Sequence, residues 1–291
     1  PAGYGAVNLS SHFVKNRPGA DFESMVCAQG AVCEQSLAPK TLAMPEYAFA
    51  MNYGYHLNAG KFTEMLRLHC TQKLGVVHTL GHVENVNGAA NGDIASLTLD
   101  DGRQIEGDLF IDCSGFKALL LNGFYNIPLV SKRDQLFNDA ALALQVPYKD
   151  DTAPIASATV ATAQQHGWIW DIALSSRRGI GHVFSRQHCS EEQAREALMN
   201  YVKSDPHLDA TGAEPRLITF EPGHRSTFWH RNCVGIGVSA GFVEPLEATA
   251  LVLVEKSVEW ISHQFPRCRN AMTVLAKRYN EMTHKRWEDI I

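Results

Sequence analysis

A chain of 291 residues can bury roughly three quarters of its unfolded surface, in one large domain or two smaller ones. With 45% hydrophobic and 20% charged residues it is not collagen-like, disordered or coiled-coil, and no apolar run approaches the roughly 20 residues of a membrane helix. The 26 basic and 31 acidic residues leave a net charge of −5, which gives no electrostatic reason to expect nucleic acid or an acidic lipid surface, so a small-molecule partner is expected. Seven scattered cysteines without a C-x-x-C pair suggest no disulfide framework and no metal site, and fit a reducing, cytoplasmic setting. His188-Cys189 alone cannot complete a tetrahedral shell.

From Pro1 to Asn52 no period is sustained, and irregular structure with short helices is expected. Phe62, Met65, Leu66 and His69 then recur at helical spacing, predicting an amphipathic helix from Ala59 to Gln72 that stops at Gly75. Val76 to Leu80, His82 to Val86, Ile94 to Leu99, Gln104 to Glu106 and Asp108 to Cys113 read as strands, with Asp101-Gly102 closing a hairpin. A second, mostly antiparallel sheet is expected from Ala141 to Val146, Ala156 to Ala161, Gly167 to Ala173 and Ile180 to Phe184. Ser190 and Gln193 form a capping box, predicting a helix from Glu191 to Ser204 before a strand at Arg216 to Phe220. Leu251, Val254, Val258, Ile261 and Phe265 predict a long helix from Thr249, and a last helix is expected from Asn270.

Two segments bring backbone near a ligand. Gly107 to Gly115 reads as a buried strand ending in the small turn Cys113-Ser114-Gly115, a form that admits a dinucleotide and equally an ordinary glycine turn. Gly235-x-Gly237-x-x-Ala240 formally matches a dinucleotide fingerprint and leads into the Thr249 helix. Free amides near Thr249 and Ala250, with the helix dipole behind them, make an anion site suited to halide or phosphate. Glu247 stands beside that terminus, where by itself it reads as an acidic residue stabilising the helix start.

Gly167-Trp168-Ile169-Trp170-Asp171-Ile172-Ala173 resembles the G-W-x-W-x-I-P marker of the flavin-dependent tryptophan halogenases, and Phe242 to Ala250 resembles their F-x-[DE]-P-L-E-S-T-G segment. Gly107 to Phe116, Tyr55 to Ala59 and Pro1 to Gly5 are similar to three further family stretches, all in family order. The resemblance implies an α/β (α+β) chain with a FAD-binding flavoprotein monooxygenase-like fold, incomplete, with a mostly antiparallel substrate-side sheet and C-terminal helices. It implies that reduced FAD, supplied by a separate flavin reductase, and oxygen convert chloride or bromide into a hypohalous species that halogenates tryptophan or an indole-like ring. Carried over by position, Glu247 matches the glutamate beside the ring, and Thr249 and Ala250 match the amides that hold halide. Val83, Asp112, Gly115, Gly237, Val238 and Leu251 match the flavin side, and Trp168 and Trp170 are the family marker. The resemblance is compatible with a homodimer.

The resemblance also implies a division into an irregular substrate-side segment (1–54), a FAD-binding portion (55–120 with 216–265), a substrate-side sheet and helix (121–215), and the start of a C-terminal helical region (266–291). Ala173, Ala248, Ala250 and Asn58 replace the family's Pro, Ser, Gly and Asp. The family's first glycine-rich loop and its lysine belong before Pro1, and its C-terminal helical part belongs after Ile291. The chain is therefore expected to be part of a longer halogenase and inactive alone. The alternatives are a flavin-dependent monooxygenase or reductase of the same architecture, and a degenerate non-catalytic relative.

Overall fold

A computed structural model describes residues 9–16, 19, 21, 22, 24, 27–245 and 248–291. Helices α1 (Leu9–Asn16) and α2 (Gln29–Glu34) lie in the otherwise irregular N-terminal stretch. Helix α3 (Ala59–Lys73) begins where the Asn58 side chain accepts a hydrogen bond from the Lys61 amide at 3.2 Å, and it ends at Gly75, whose φ of +71° a left-handed cap requires. The periodicity gave the helix, but its apolar stripe (Phe62, Met65, Leu66, Leu68) remains exposed.

An antiparallel meander follows: β1 (Val83–Gly88), β2 (Ile94–Leu99) and β3 (Gln104–Glu106). Residues 76–80, expected as a strand, form none. Neither edge of the meander reaches them, and Val77 and Leu80 point to solvent, so their apolar run has no ladder to join. Strand β4 (Phe110–Asp112) buries Phe110 and Asp112 and exposes Ile111, a turn of π-helix runs over Leu119–Phe124, and β5 is Leu129–Ser131.

The second sheet contains β6 (Ala140–Pro147), β7 (Val160–Gln164), β8 (Gly167–Ala173), β9 (Arg177–Phe184) and, after helix α4 (Glu191–Ser204), β10 (Arg216–Thr219). Its order is β10-β6-β9-β8-β7 and every pairing is antiparallel, as expected. The expected strand at 156–161 lies instead at Val160–Gln164. Alternating Ala, Ser and Thr give both faces the same character, so hydrophobicity does not set where pairing starts. The capping box forms, with Gln193 N donating to Ser190 Oγ at 3.2 Å and Ser190 N to Gln193 Oε1 at 2.9 Å. Ala194, Leu198 and Val202 recur every four residues on one face of α4 and are buried against Leu142, Ile169 and Ile180 of the sheet.

Strands β11 (Gly223–Arg225), β12 (Trp229–His230), β13 (Cys233–Gly235) and β14 (Gly241–Phe242) complete two small sheets, β14-β11-β5 and β12-β13-β4. Helices α5 (Thr249–His263) and α6 (Arg269–Ile290) close the chain. Asn280 of α6 binds the edge of β12 like a further strand: its Oδ1 accepts from Phe228 N (2.9 Å) and Trp229 N (2.8 Å), and its Nδ2 donates to Trp229 O (2.9 Å). Asn232 does the same for the meander, exchanging bonds of 3.0 and 2.8 Å with the Ile94 backbone. Among the described residues no helix is long and apolar enough to cross a membrane.

Candidate functional site

The pair β4 and β13 runs parallel, with Gly235 opposite Asp112, and both strands leave the sheet at the same end. That end is where open α/β sheets hold ligands, because the chain must turn away there and leave a crevice. One exit is Cys113-Ser114-Gly115, the other Ile236-Gly237-Val238-Ser239, and each turns on a glycine with positive φ, +71° at Gly115 and +70° at Gly237. The turns are laced together: Ile236 N donates to Asp112 O at 3.0 Å, and Ser239 Oγ donates to the same carbonyl.

The Asp112 side chain builds the first turn from beneath. It is 2% exposed, with Oδ1 accepting from Ser114 N (3.0 Å) and Ser114 Oγ (2.5 Å), and Oδ2 from Leu120 N (2.9 Å) and Leu121 N (3.0 Å). Both oxygens are thus spent inside the protein, and Asp112 acts on any ligand through the backbone it positions. The flavin expected from the resemblance fits this geometry. No described atom lies within 4 Å of where a Cβ on Gly115 would be, and a Cβ on Gly237 would meet only Val254 Cγ2 at 3.7 Å, so backbone can approach a flat ring or its chain from either turn.

Gly237 and Val238 on one side of residues 243–248, and Ala250 and Leu251 on the other, come together around one cavity of about 180 Å³. Tyr279, Trp287 and Val254 supply much of its apolar wall, while Val238 and Leu251 leave apolar surface exposed at its rim. Val83 begins β1 at the edge of the meander and does not line this cavity. Helix α5 starts at Thr249 after Ala248 in a left-handed conformation (φ 52°), with no side-chain cap and no acidic residue in its first turn. Among the described residues no side chain caps the amides of that turn, and such uncapped amides suit an anion. Glu247 and residues 1–5, two elements of the family resemblance, lie outside the described residues.

Trp168 and Trp170 share one face of β8, their ring centroids 6.4 Å apart at 63°. The Trp170 ring covers Gly181, where a Cβ would come within 2.2 Å of it, so the neighbouring strand needs glycine there. Trp168 Nε1 donates to Glu244 Oε2 at 2.8 Å, and Asn138 Nδ2 donates to the same oxygen at 2.7 Å. Glu244 thus pins the segment leading to α5 onto the second sheet. Sequence reasoning passed over it, since its partners lie 76 and 106 residues away and a single glutamate carries no signal of them. His56 makes a similar tie, from Nδ1 to Ala173 O at 3.0 Å and from Nε2 to Thr159 Oγ1 at 2.9 Å.

A family model for tryptophan halogenase matches residues 3–291. The tryptophan 7-halogenase RebH of Lentzea aerocolonigenes is 37% identical over 238 residues, 82% of this chain and 44% of its own length. The tryptophan 6-halogenase SttH of Streptomyces toxytricini is 37% identical over 235 residues, 80% of this chain and 44% of its own. The solved tryptophan halogenase of Shewanella frigidimarina NCIMB 400 matches with a TM-score of 0.92 at 43% identity, over 100% of this chain and 55% of that one. BrvH, a flavin-dependent halogenase of Brevundimonas sp. BAL3, gives 0.84 at 33% identity, over 97% and 56%. The chain thus spans about half the length of these relatives, and it shares their mixed α/β architecture of antiparallel sheets and C-terminal helices.

Proposed function

The chain belongs to the tryptophan halogenase family, and from that premise we propose that it supplies the halide side of an enzyme that halogenates an electron-rich aromatic ring, tryptophan or an indole-like compound, using reduced FAD, oxygen and chloride or bromide. The observation that carries this reading is the meeting of Gly237, Val238, Ala250 and Leu251 around one cavity beside an uncapped helix start. Reduced flavin, when bound, would activate oxygen, and oxygen supplies the oxidising equivalent that turns halide into an electrophile. The protein's part is placement. Backbone at Gly115, Gly237 and Val238 and the Leu251 side chain would lie against the flavin. The amides of Thr249 and Ala250, at the positive end of α5, would hold halide; they need no particular side chain, so alanine at 248 and 250 is compatible with that role.

Glu247 would take the proton that leaves the ring when halogen adds, as a general base placed by the segment that Glu244 anchors. Val83 would contribute a backbone contact to the flavin. A separate reductase would deliver the reduced flavin. Because the relatives carry about as much chain again, this activity is proposed for the gene product that contains the chain. The test is to supply that product with photoreduced FAD, oxygen, bromide and tryptophan and to look for the bromine isotope pair by mass spectrometry. A hydroxylated product formed equally well without halide would overturn the reading in favour of a monooxygenase, and no product would overturn it in favour of a non-catalytic relative.

A further inference from the structure

A second cavity, of about 300 Å³, lies on the other side of the Gly237 turn from α5. Phe116, Phe220 and Phe242 form its apolar walls, and Arg133, Arg186 and Arg225 line it as well. The rings are mutually packed, Phe116 to Phe242 at 5.5 Å and Phe220 to Phe242 at 4.6 Å between centroids, so they stand as fixed plates.

The charges of this cavity do not balance. Three guanidiniums share two carboxylates: Arg133 pairs with Glu221 at 2.5 Å and with Asp139 at 3.3 Å, and Arg186 pairs with Asp139 at 3.0 Å. Arg225 has no ion pair among the described residues, although it is only 6% exposed. Its Nε donates to Ser239 O at 3.2 Å, and its Nη1 to Asn122 Oδ1 at 3.2 Å and Ile127 O at 3.1 Å, all uncharged acceptors. Its Nη2 donates to none of the described residues. Burial draws the Arg225 pKa down, and the charge it feels from Asp112 belongs to a carboxylate whose oxygens are already taken by Ser114, Leu120 and Leu121. Nη2 keeps access to solvent through the cavity, while the rest of the guanidinium is withdrawn from water, and charges so withdrawn are ordinarily paired. Here a free N–H edge remains beside a cavity with aromatic walls.

We propose that this cavity is a site for a planar monoanion, which lies against the wall of phenyl rings and gives Arg225 its missing counter-charge. The shared chemistry is a flat conjugated body with one delocalised negative charge. A free aromatic carboxylate has it, and so does the ring of a reduced flavin. Only the second source rests on the halogenase reading; the unpaired guanidinium and its aromatic walls carry the proposal without it.

The test is calorimetric titration of the 291-residue chain with benzoate and with benzamide, its neutral isostere. Benzoate is expected to bind at least about tenfold more tightly, since only it offers charge to a buried guanidinium. Two variants follow. Arg225→Gln removes the charge, and Thr219→Trp narrows the mouth from the exposed side of β10 while leaving every Arg225 bond in place, so it carries the test if Arg225→Gln does not fold. Each folded variant is expected to weaken benzoate about tenfold or more. Photoreduced riboflavin, added without oxygen at mildly alkaline pH, identifies the source: competition with benzoate by the reduced but not the oxidised form points to the flavin ring, and the absence of competition points to a free carboxylate. Equal binding of benzoate and benzamide, no benzoate binding at millimolar concentration, or unchanged affinity in the folded variants would overturn the proposal. None of these results depends on whether halogenated product forms.

Discussion

Replacing Asp112 with asparagine tests the claim that this carboxylate builds the Ser114-Gly115 turn. The side chain accepts four hydrogen bonds, two at each oxygen, and asparagine leaves only one oxygen. If the new NH2 faces the Leu120 and Leu121 amides, donor meets donor twice in a buried site. The cheaper rotamer turns it towards Ser114, whose hydroxyl can rotate and accept while its amide loses its partner. In that case the two leucine amides exchange a charged acceptor for a neutral one, at about 1 kcal/mol each, and the unpaired Ser114 amide adds about 1–3 kcal/mol. The sum of about 3–5 kcal/mol corresponds to a fall in melting temperature on the order of 10 °C for a chain of this size. Thermal unfolding by circular dichroism reads it, with the exposed Asp108→Asn as the control expected to melt like the parent. A Tm for Asp112→Asn within about 2 °C of the parent would refute the four-bond account and free Asp112 to be considered a direct ligand contact.

Glu247→Gln in the gene product is expected to lower halogenation on the order of 100-fold while the melt moves little, because a positioned base contributes that much and a charge at a helix start only about 0.3–1 kcal/mol; near-native turnover would leave only the helix role. Glu244→Gln keeps an acceptor for Trp168 and Asn138 but weakens both bonds, by about 1–2 kcal/mol together, and is expected to speed solvent exchange of the Trp168 indole N–H followed by NMR. The Asp93 pKa is lowered chiefly by its hydrogen bonds from Arg269 at the start of α6, so the stability it lends is full above the ordinary aspartate range and disappears as pH falls below it. Arg269→Gln should therefore melt lower than the parent at neutral pH, with the difference shrinking as pH falls below the ordinary aspartate range; a difference unchanged by acid would show that the pair is not what Arg269 contributes.

What the sequence made legible is what is written locally. The Ser190 capping box and the Gly75 stop are decided within five residues, and those helices lie within a residue or two of where they were expected. The Gly167 to Ala173 stretch is legible for a related reason: Trp168 and Trp170 sit two residues apart and share one face of β8. Residues 76–80 failed because a strand exists only with a partner, and nothing in an apolar run says whether one will arrive. The expected flavin-side residues divided on the same principle. Gly237, Val238 and Leu251 line one cavity, whereas Val83 belongs to a separate meander; Leu251 and Val83 alike were expected only by resemblance.

The groups that sequence reasoning missed share a single property, which is that their partners are distant in the chain. Glu244 acts through Trp168, Asn232 through Ile94, and Arg225 through the lack of an ion pair among the described residues. That last condition cannot be read from a string at all, since 31 acidic residues outnumber 26 basic ones and the average arginine has partners to spare. It emerges only after folding has assigned Asp139 and Glu221 to Arg133 and Arg186, and Asp112 to backbone amides. Each of those assignments satisfies a local demand, and together they leave one buried positive charge beside the Gly237 turn. A family stretch marks where backbone will approach a ligand, while the charge left unpaired beside it gives the sign of what is expected to come.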